Sequence, residues 1–250
     1  MKIMRVILLT CLLVGNVVHA DVIDDAIASA ARPAKDKSVD ETRKPASVLR
    51  FFEIAPGMAV FDIFAGGGYY SELLSRIVGD DGEVVLYNNG PWHNFVGAAV
   101  RERVVDGRLN NVEVLVEAPG ALIDYRSGEF DAAIFVLGMH DIYYVDEENG
   151  WVAIDSENFL AGIFNLLRPG GILGIIDHNA VAGTDPSVVG KSVHRIDPVV
   201  IVRDVEAAGF SYLGEISSLA NPDDDKTMSV FDPSTRRKTD RSVLKFIKPS

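Results

Sequence analysis

GMAVFDIFAGGGYYSELLSRIVGDDGEVVLYN, residues 57–88, reads as a buried strand, a glycine-rich turn, a helix and a second strand. Ala59 to Phe64 is an apolar run interrupted only by Asp62, and Gly66, Gly67 and Gly68 follow at once. Glycines at such a point let the backbone turn tightly and approach a ligand, while the first amides of the next helix, Ser71 to Val78, point toward it. That helix carries Leu73, Leu74, Ile77 and Val78 on one face and stops at Gly79. Glu83 to Tyr87 then forms the next strand, with Asn88 at its tip. The order makes a cradle for a nucleotide cofactor.

Alternation continues on both sides of the cradle. Val48, Leu49, Phe51 and Phe52 predict a helix within 40–52, and Phe95 to Arg108 reads as another. Asn111 to Val116 is a strand, and Phe130 to Leu137 is an apolar strand of the buried parallel kind. Leu160, Ile163, Phe164 and Leu167 recur at helical spacing, and Arg168-Pro169-Gly170-Gly171 stops that helix before the strand Ile172 to Ile176. Asp197-Pro198 opens a last helix that closes at Gly209. Phe210 to Ile216 and Val243 to Ile247 are strands separated by the polar loop Asn221 to Arg241, which shows no helix pattern. Without a crossover helix the two should pair antiparallel.

The amino terminus differs from the rest. Lys2 and Arg5 precede the apolar run Val6 to Val18, and Val18-His19-Ala20 ends in residues that suit a signal peptidase. Residues 1–20 read as a secretory signal peptide, too short in its apolar part to serve as a comfortable membrane span, and Thr10 is a poor neighbour for a lipidated Cys11. Residues 21–39 are expected to form a short helix and linker, and residues 40–250 one folded domain. Removing residues 1–20 takes the single cysteine with it and moves the net charge from −12 to −14 through loss of Lys2 and Arg5. A cysteine-free exported chain suits a bacterial periplasm. Its acidity disfavours nucleic acid and anionic lipid, leaving small molecules as partners, and no integral membrane segment is expected once the signal is removed.

A glycine turn of this kind serves both dinucleotide oxidoreductases and adenosylmethionine transferases. A dinucleotide fingerprint counted from Gly66 would need a third glycine where Ser71 stands, and Asp62 sits inside the strand end. With these features the chain resembles a class I S-adenosylmethionine-dependent methyltransferase. Asp62-Ile63-Phe64-Ala65-Gly66-Gly67-Gly68 matches the acid and last two glycines of that family's motif, with Phe64 replacing the first glycine. Phe130-Asp131 and Leu167-Arg168-Pro169-Gly170-Gly171 match its fourth- and fifth-strand junctions. The FAGGGYY turn, the export signal and Lys238-Thr239-Asp240-Arg241 before the last strand resemble a bacterial group of predicted exported methyltransferases.

The resemblance implies an α/β, doubly wound, mostly parallel seven-stranded sheet with a C-terminal antiparallel pair. It also implies S-adenosyl-L-methionine as cofactor, bound by Asp62, Phe64, Ala65, Gly66, Gly68, Asn88 and Leu137. Two departures stand out. Asn88 occupies the place of the acid that accepts the ribose hydroxyls, and Glu117 or Ala118 that of the acid near adenine.

Methyl transfer is an in-line displacement, so a protein must align the two partners and remove a proton from a hydroxyl or amine acceptor. His140 and Asp141, just after the fourth strand, are the catalytic candidates: His140 as general base oriented by Asp141 or Asp177, or else as a helix cap or a hydrogen-bond partner of the cofactor's amino acid. Tyr143 and Tyr144 line an acceptor wall or simply pack. One of Tyr69 and Tyr70 covers the site. His194-Arg195 reads as an exposed loop pair or part of a cover. Asp177-His178-Asn179 has loose similarity to metal-dependent catechol-type methyltransferases, but these place an aspartate where Val136 or Leu137 stands, so no metal is expected. The competing functions are an exported binding protein with a decayed cofactor pocket and, less favoured, a nicotinamide-dependent oxidoreductase.

Overall fold

The computed structural model describes residues 21–250, so the expected export signal lies outside the described residues. Short helices open the chain: α1 Val22–Ala28, α2 Ala34–Lys37, α3 Asp40–Arg43 and α4 Pro45–Phe51. The single helix expected over 40–52 is broken at Lys44, whose left-handed φ of 44° precedes Pro45 at the start of α4. Then follow β1 Ala59–Ile63, α5 Tyr69–Val78, β2 Glu83–Asn88, α6 Gly90–Val104 and β3 Val112–Val116. The carboxyl half holds β4 Phe130–Val136, α7 Ser156–Leu166, β5 Leu167–His178, α8 Pro186–Val193, α9 Pro198–Ala207, β6 Ser211–Glu215 and β7 Arg241–Ile247.

The seven strands form one sheet in the order β3-β2-β1-β4-β5-β7-β6. β1 to β5 run parallel, and β7 lies antiparallel between β5 and β6, as the missing crossover helix predicted. Alternate residues of each strand feed two cores. Val60, Val84, Ala132 and Ile134 face the side of α1, α4 and α5, while Phe61, Val85, Ala133 and Phe135 face the side of α7 and α9. Burial on both faces is why these strands read as continuous apolar runs. Each fully buried Phe or Leu contributes about 1.5–3 kcal/mol.

Three further elements differ from the expectation. α6 starts at Gly90 because Asn89 caps it, its Oδ1 accepting the Trp92 N–H at 3.0 Å, with Pro91 in the first turn. β5 begins at Leu167, with a register shift against β4 between Phe130 and Ala132. α8 was not foreseen, although Asp185-Pro186 repeats the cap signal of Asp197-Pro198: the Asp185 side chain accepts the Ser187 N–H at 2.9 Å.

An ion cluster ties the amino-terminal helices to the glycine turn. Glu72, fully buried on α5, meets Arg76 at 2.8 Å, Arg103 at 2.5 Å and Arg108 at 2.6 Å. Arg103 also reaches Asp36 at 2.8 Å and donates through Nε to the Gly67 carbonyl at 2.5 Å. Among the described residues no helix is long and apolar enough to cross a membrane.

Candidate active site

The strand order reverses between β1 and β4, and ligands of open α/β sheets sit beyond the carboxyl ends of the strands at such a point. Ile63 and Phe135 are paired there. The residues that leave the two strands, Phe64 and Leu137, both adopt left-handed backbone, with φ of 46° and 57°. For bulky L-residues this costs about 1–2 kcal/mol each, and such strain concentrates at functional sites. Phe64 occupies the backbone conformation that the glycine of the motif would take. Its ring is absorbed by the core, stacked on Phe159 at 5.3 Å and edge-on to Phe135 at 5.5 Å, so it does not plug the turn.

Beside the turn lies a cavity of about 750 Å³, bordered by Asp62, Ala65, Gly66, Gly67, Leu137, His140 and Asp141, with Trp92, Tyr144, Trp151, His194 and Phe231 opposite. A second cavity of about 520 Å³ is bordered by Asn89, Val116, Glu117 and Ala118. Phe64, Asp141, Tyr144 and Trp151 border both. The pair has the size of small-molecule sites, and in the larger cavity apolar and aromatic side chains alternate with charged residues and histidines.

Asp62, Phe64, Ala65, Gly66, Leu137, His140 and Asp141 are thus brought together. Gly68 and Asn88 are not. Behind Gly68, at φ 77°, a Cβ would fall 2.8 Å from both Arg103 Cδ and Leu86 Cδ1, so this glycine serves packing, and Gly67 borders the cavity in its place. Asn88 is fully buried and turned back onto the glycine turn: its Oδ1 accepts the Gly66 N–H at 2.9 Å and its Nδ2 donates to the Gly66 carbonyl at 3.0 Å. Asn88 is thus bonded to the turn, with one acceptor and one donor of its amide engaged there.

Asp62 is 1% exposed and accepts the Ser71 hydroxyl at 2.6 Å. Burial pushes its carboxyl up to about 7 against the opposing bonds from Ser71. A cation placed in the cavity would favour its ionised form. Gly66, at φ 57°, has no protein atom within 4 Å of where a Cβ would lie, which leaves the backbone open to a ligand. A buried carboxylate for an ammonium group, an open glycine turn and an apolar slot at Val116 and Ala118 fit an adenosyl amino acid.

His140 and Asp141 lie in a 3₁₀ turn, Met139–Tyr143, that follows β4. Asp177, at the end of β5, accepts both the His140 backbone N–H at 2.9 Å and its Nδ1–H at 2.8 Å. Burial alone would lower the pKa of His140. The carboxylates of Asp177 and Asp141 act against it and raise the value to about 9. The contact with Asp177 fixes the orientation of the ring and leaves Nε2 toward Asp141. Burial raises Asp141 to about 6, and its Oδ2 is buried without a hydrogen-bond partner.

At the β5 terminus His178 also borders the larger cavity. His178 Nδ1 pairs with the Thr239 hydroxyl at 2.7 Å, and Asn179 holds Ser242 and Asp240. The pair His194-Arg195 is not an exposed loop pair. Arg195 is fully buried, bound to Asp224 at 2.8 Å and to the Asn179 carbonyl at 3.0 Å. His194 borders the cavity between Tyr144, at a ring distance of 5.5 Å, and Phe231, at 4.7 Å. Tyr69 and Tyr70 both border the cavity, and Tyr69 donates to Asp40 at 2.6 Å. Tyr143 donates to Asp204 and only Tyr144 faces the cavity. Trp92, Trp151 and Phe231 were not foreseen, since nothing in their local sequence separates a cavity wall from core.

No family model matches the chain. It is 27% identical over 162 residues to the ubiquinone/menaquinone biosynthesis C-methyltransferase UbiE of Erwinia tasmaniensis, an overlap that covers 64% of this chain and 59% of that protein. The chain thus spans less than two thirds of the length of that relative. A SAM-dependent methyltransferase from Aquifex aeolicus superposes with a TM-score of 0.58 at 20% identity, over 87% of this chain and 98% of the other. Aeropyrum pernix fibrillarin, solved with natively bound S-adenosyl-L-methionine, superposes with a TM-score of 0.54 at 14% identity, over 83% and 76%. The sheet order, the antiparallel carboxyl-terminal pair and these likenesses give the chain the Rossmann-like methyltransferase fold.

Proposed function

We propose that this chain is an S-adenosylmethionine-dependent methyltransferase acting on a small molecule. The observation that carries the reading is the cavity at the strand-order reversal, where Asp62, the unfilled space beside the Gly66 Cα and the two left-handed residues Phe64 and Leu137 converge. The sequence likeness to a C-methyltransferase supports it independently. When bound, the cofactor supplies an electrophilic sulfonium methyl. Asp62 would hold the amino group of its methionine moiety, and the turn at Gly66 and Gly67 would face its carboxylate end. Val116 and Ala118, which border the smaller cavity, would receive the base.

The acceptor enters between His140, Asp141 and the aromatic wall of Tyr144 and Trp151. Asp141 Oδ2, which no protein hydrogen bond of ordinary geometry reaches, accepts a hydrogen bond from the acceptor's hydroxyl or amine and draws off its proton. His140, fixed by Asp177 on two sides, keeps that carboxylate in place. The walls exclude water and align nucleophile with methyl, which is most of what such a displacement needs.

We further propose that the enzyme is exported, on the strength of Lys2, Arg5, the apolar run to Val18 and the small residue Ala20. Calorimetry with S-adenosylmethionine, S-adenosylhomocysteine and NAD tests the cofactor reading: saturable binding of the first two and none of NAD is expected. Failure of both adenosyl compounds to bind would end it. Cell fractionation with mass determination of the amino terminus tests export.

A further inference from the structure

We propose that His140, Asp141 and His194 form a binding site for a divalent first-row transition metal, with zinc the best matched ion. One donor atom from each lies within 4.8 Å of the others. His140 Nε2 is 3.3 Å from Asp141 Oδ1, and His194 Nδ1 is 3.9 Å from that same oxygen. Ligand bonds of 2.0–2.1 Å in tetrahedral geometry separate donor atoms by about 3.3 Å, so small side-chain shifts suffice to close around an ion.

Four independent features aim these donors at one point. Asp177 takes the Nδ1–H of His140 at 2.8 Å and is itself braced by the backbone N–H groups of His140 and His178, at 2.9 and 2.7 Å. A carboxylate on one ring nitrogen leaves the other turned outward, the arrangement found behind most metal-bound histidines. Asp141 is 6% exposed, and no hydrogen bond of ordinary geometry reaches its Oδ2, although the Trp92 indole lies near the carboxylate, so a cation held at Oδ1 or Oδ2 would supply charge the protein leaves largely uncompensated. His194 is the residue after α8 and takes a left-handed φ of 55°, with its ring held between Tyr144 and Phe231. Finally, α8 comes close enough to deliver it only because residue 190 is glycine, where a Cβ would sit 3.0 Å from the His140 carbonyl oxygen.

Two imidazoles and one carboxylate select the ion. Magnesium and calcium prefer all-oxygen sites, whereas mixed nitrogen and oxygen donors suit zinc, iron, cobalt and nickel. Three protein ligands leave at least one position open, as in catalytic sites, and all three residues border the 750 Å³ cavity. That position can take water or, on the methyltransferase reading, the oxygen of an acceptor, which would bond the ion in place of its hydrogen bond to Asp141.

The test is titration of the full-length, chelator-stripped protein with zinc chloride against a chromophoric chelator, without any adenosyl compound. One equivalent is expected to bind with Kd below about 1 µM. His194→Ala and Asp141→Asn, checked for unchanged circular dichroism, should each weaken it at least ~100-fold, and Asp177→Asn by about 10–100-fold through loss of ring orientation. Cobalt in place of zinc should give visible ligand-field absorption that the same variants abolish. Absence of saturable zinc binding to the unaltered protein would overturn the proposal whether or not any variant folds. So would stoichiometric binding indifferent to His194→Ala and Asp141→Asn. Either result leaves adenosylmethionine binding, measured separately, untouched.

Discussion

Asn88 grips the Gly66 peptide from both sides, accepting its N–H at 2.9 Å and donating to its carbonyl at 3.0 Å. An amide carries an acceptor oxygen and a donor nitrogen side by side, as this double contact requires. Asn88→Asp should therefore weaken cofactor binding, by about tenfold, because a carboxylate would face the Gly66 carbonyl with nothing to donate. A ribose-binding role predicts the reverse, since the added charge would restore the acid of the family motif. Calorimetric affinities of the two proteins for S-adenosylhomocysteine decide between them.

Asp62 makes both stability and binding depend on pH. Its folded-state pKa of about 7 lies above the ordinary aspartate value of 3.8, so its contribution to stability is complete below pH 3.8 and declines as pH rises through 7. At 1.36 kcal/mol per pH unit the loss is about 4 kcal/mol at most. Asp62→Asn should flatten that segment of the stability curve, measured by urea unfolding between pH 4 and 8. Because a cation in the cavity favours the ionised carboxylate, adenosylmethionine should bind the unaltered protein more tightly at pH 8 than at pH 6. In Asp62→Asn that difference should disappear.

Glu72 shifts the other way. Burial opposes its ionisation, but the guanidinium groups of Arg108, Arg76 and Arg103 outweigh burial and lower its pKa to about 2. Its contribution is present above pH 4.5 and is lost as pH falls through 2. Glu72→Gln leaves these arginines without their shared carboxylate and should cost about 3–5 kcal/mol. Denaturant melts at pH 7 measure it, and a loss under 1 kcal/mol would contradict the assignment.

Gly66→Val should abolish cofactor binding while the protein stays folded. The left-handed backbone at 57° penalises a β-branched residue by about 1–2 kcal/mol, which a core of this size withstands, and the new side chain would project into unfilled space beside the turn. Retained affinity in a folded Gly66→Val protein would displace the cofactor from this turn.

The strands were legible because burial on both faces writes itself as short apolar runs, and the turns because glycine and Asp-Pro mark them. What the sequence concealed depends on distant pairing. Asn88 folds back over 22 residues to Gly66, and Arg195 finds Asp224 across 29. His194 reaches the site through the approach of α8 to the turn after β4, a relation between segments about fifty residues apart. The run from Asp21 to Val39, alanine-rich and charged, gave no hint that Asp36 meets Arg103. Phe64 shows the converse: its motif position was plain from spacing, but only the backbone angle of 46° shows that the chain keeps the glycine conformation without the glycine.

The ion pair between Asp36 and Arg103 has a consequence for the vessel as a whole. Lys35, Asp36 and Arg43 border the large cavity, so its outer side is built from residues that precede every strand. A shortened chain beginning at Pro45 would keep the entire sheet yet hold its ligand in a trough open along one flank, with bulk water against the reacting atoms.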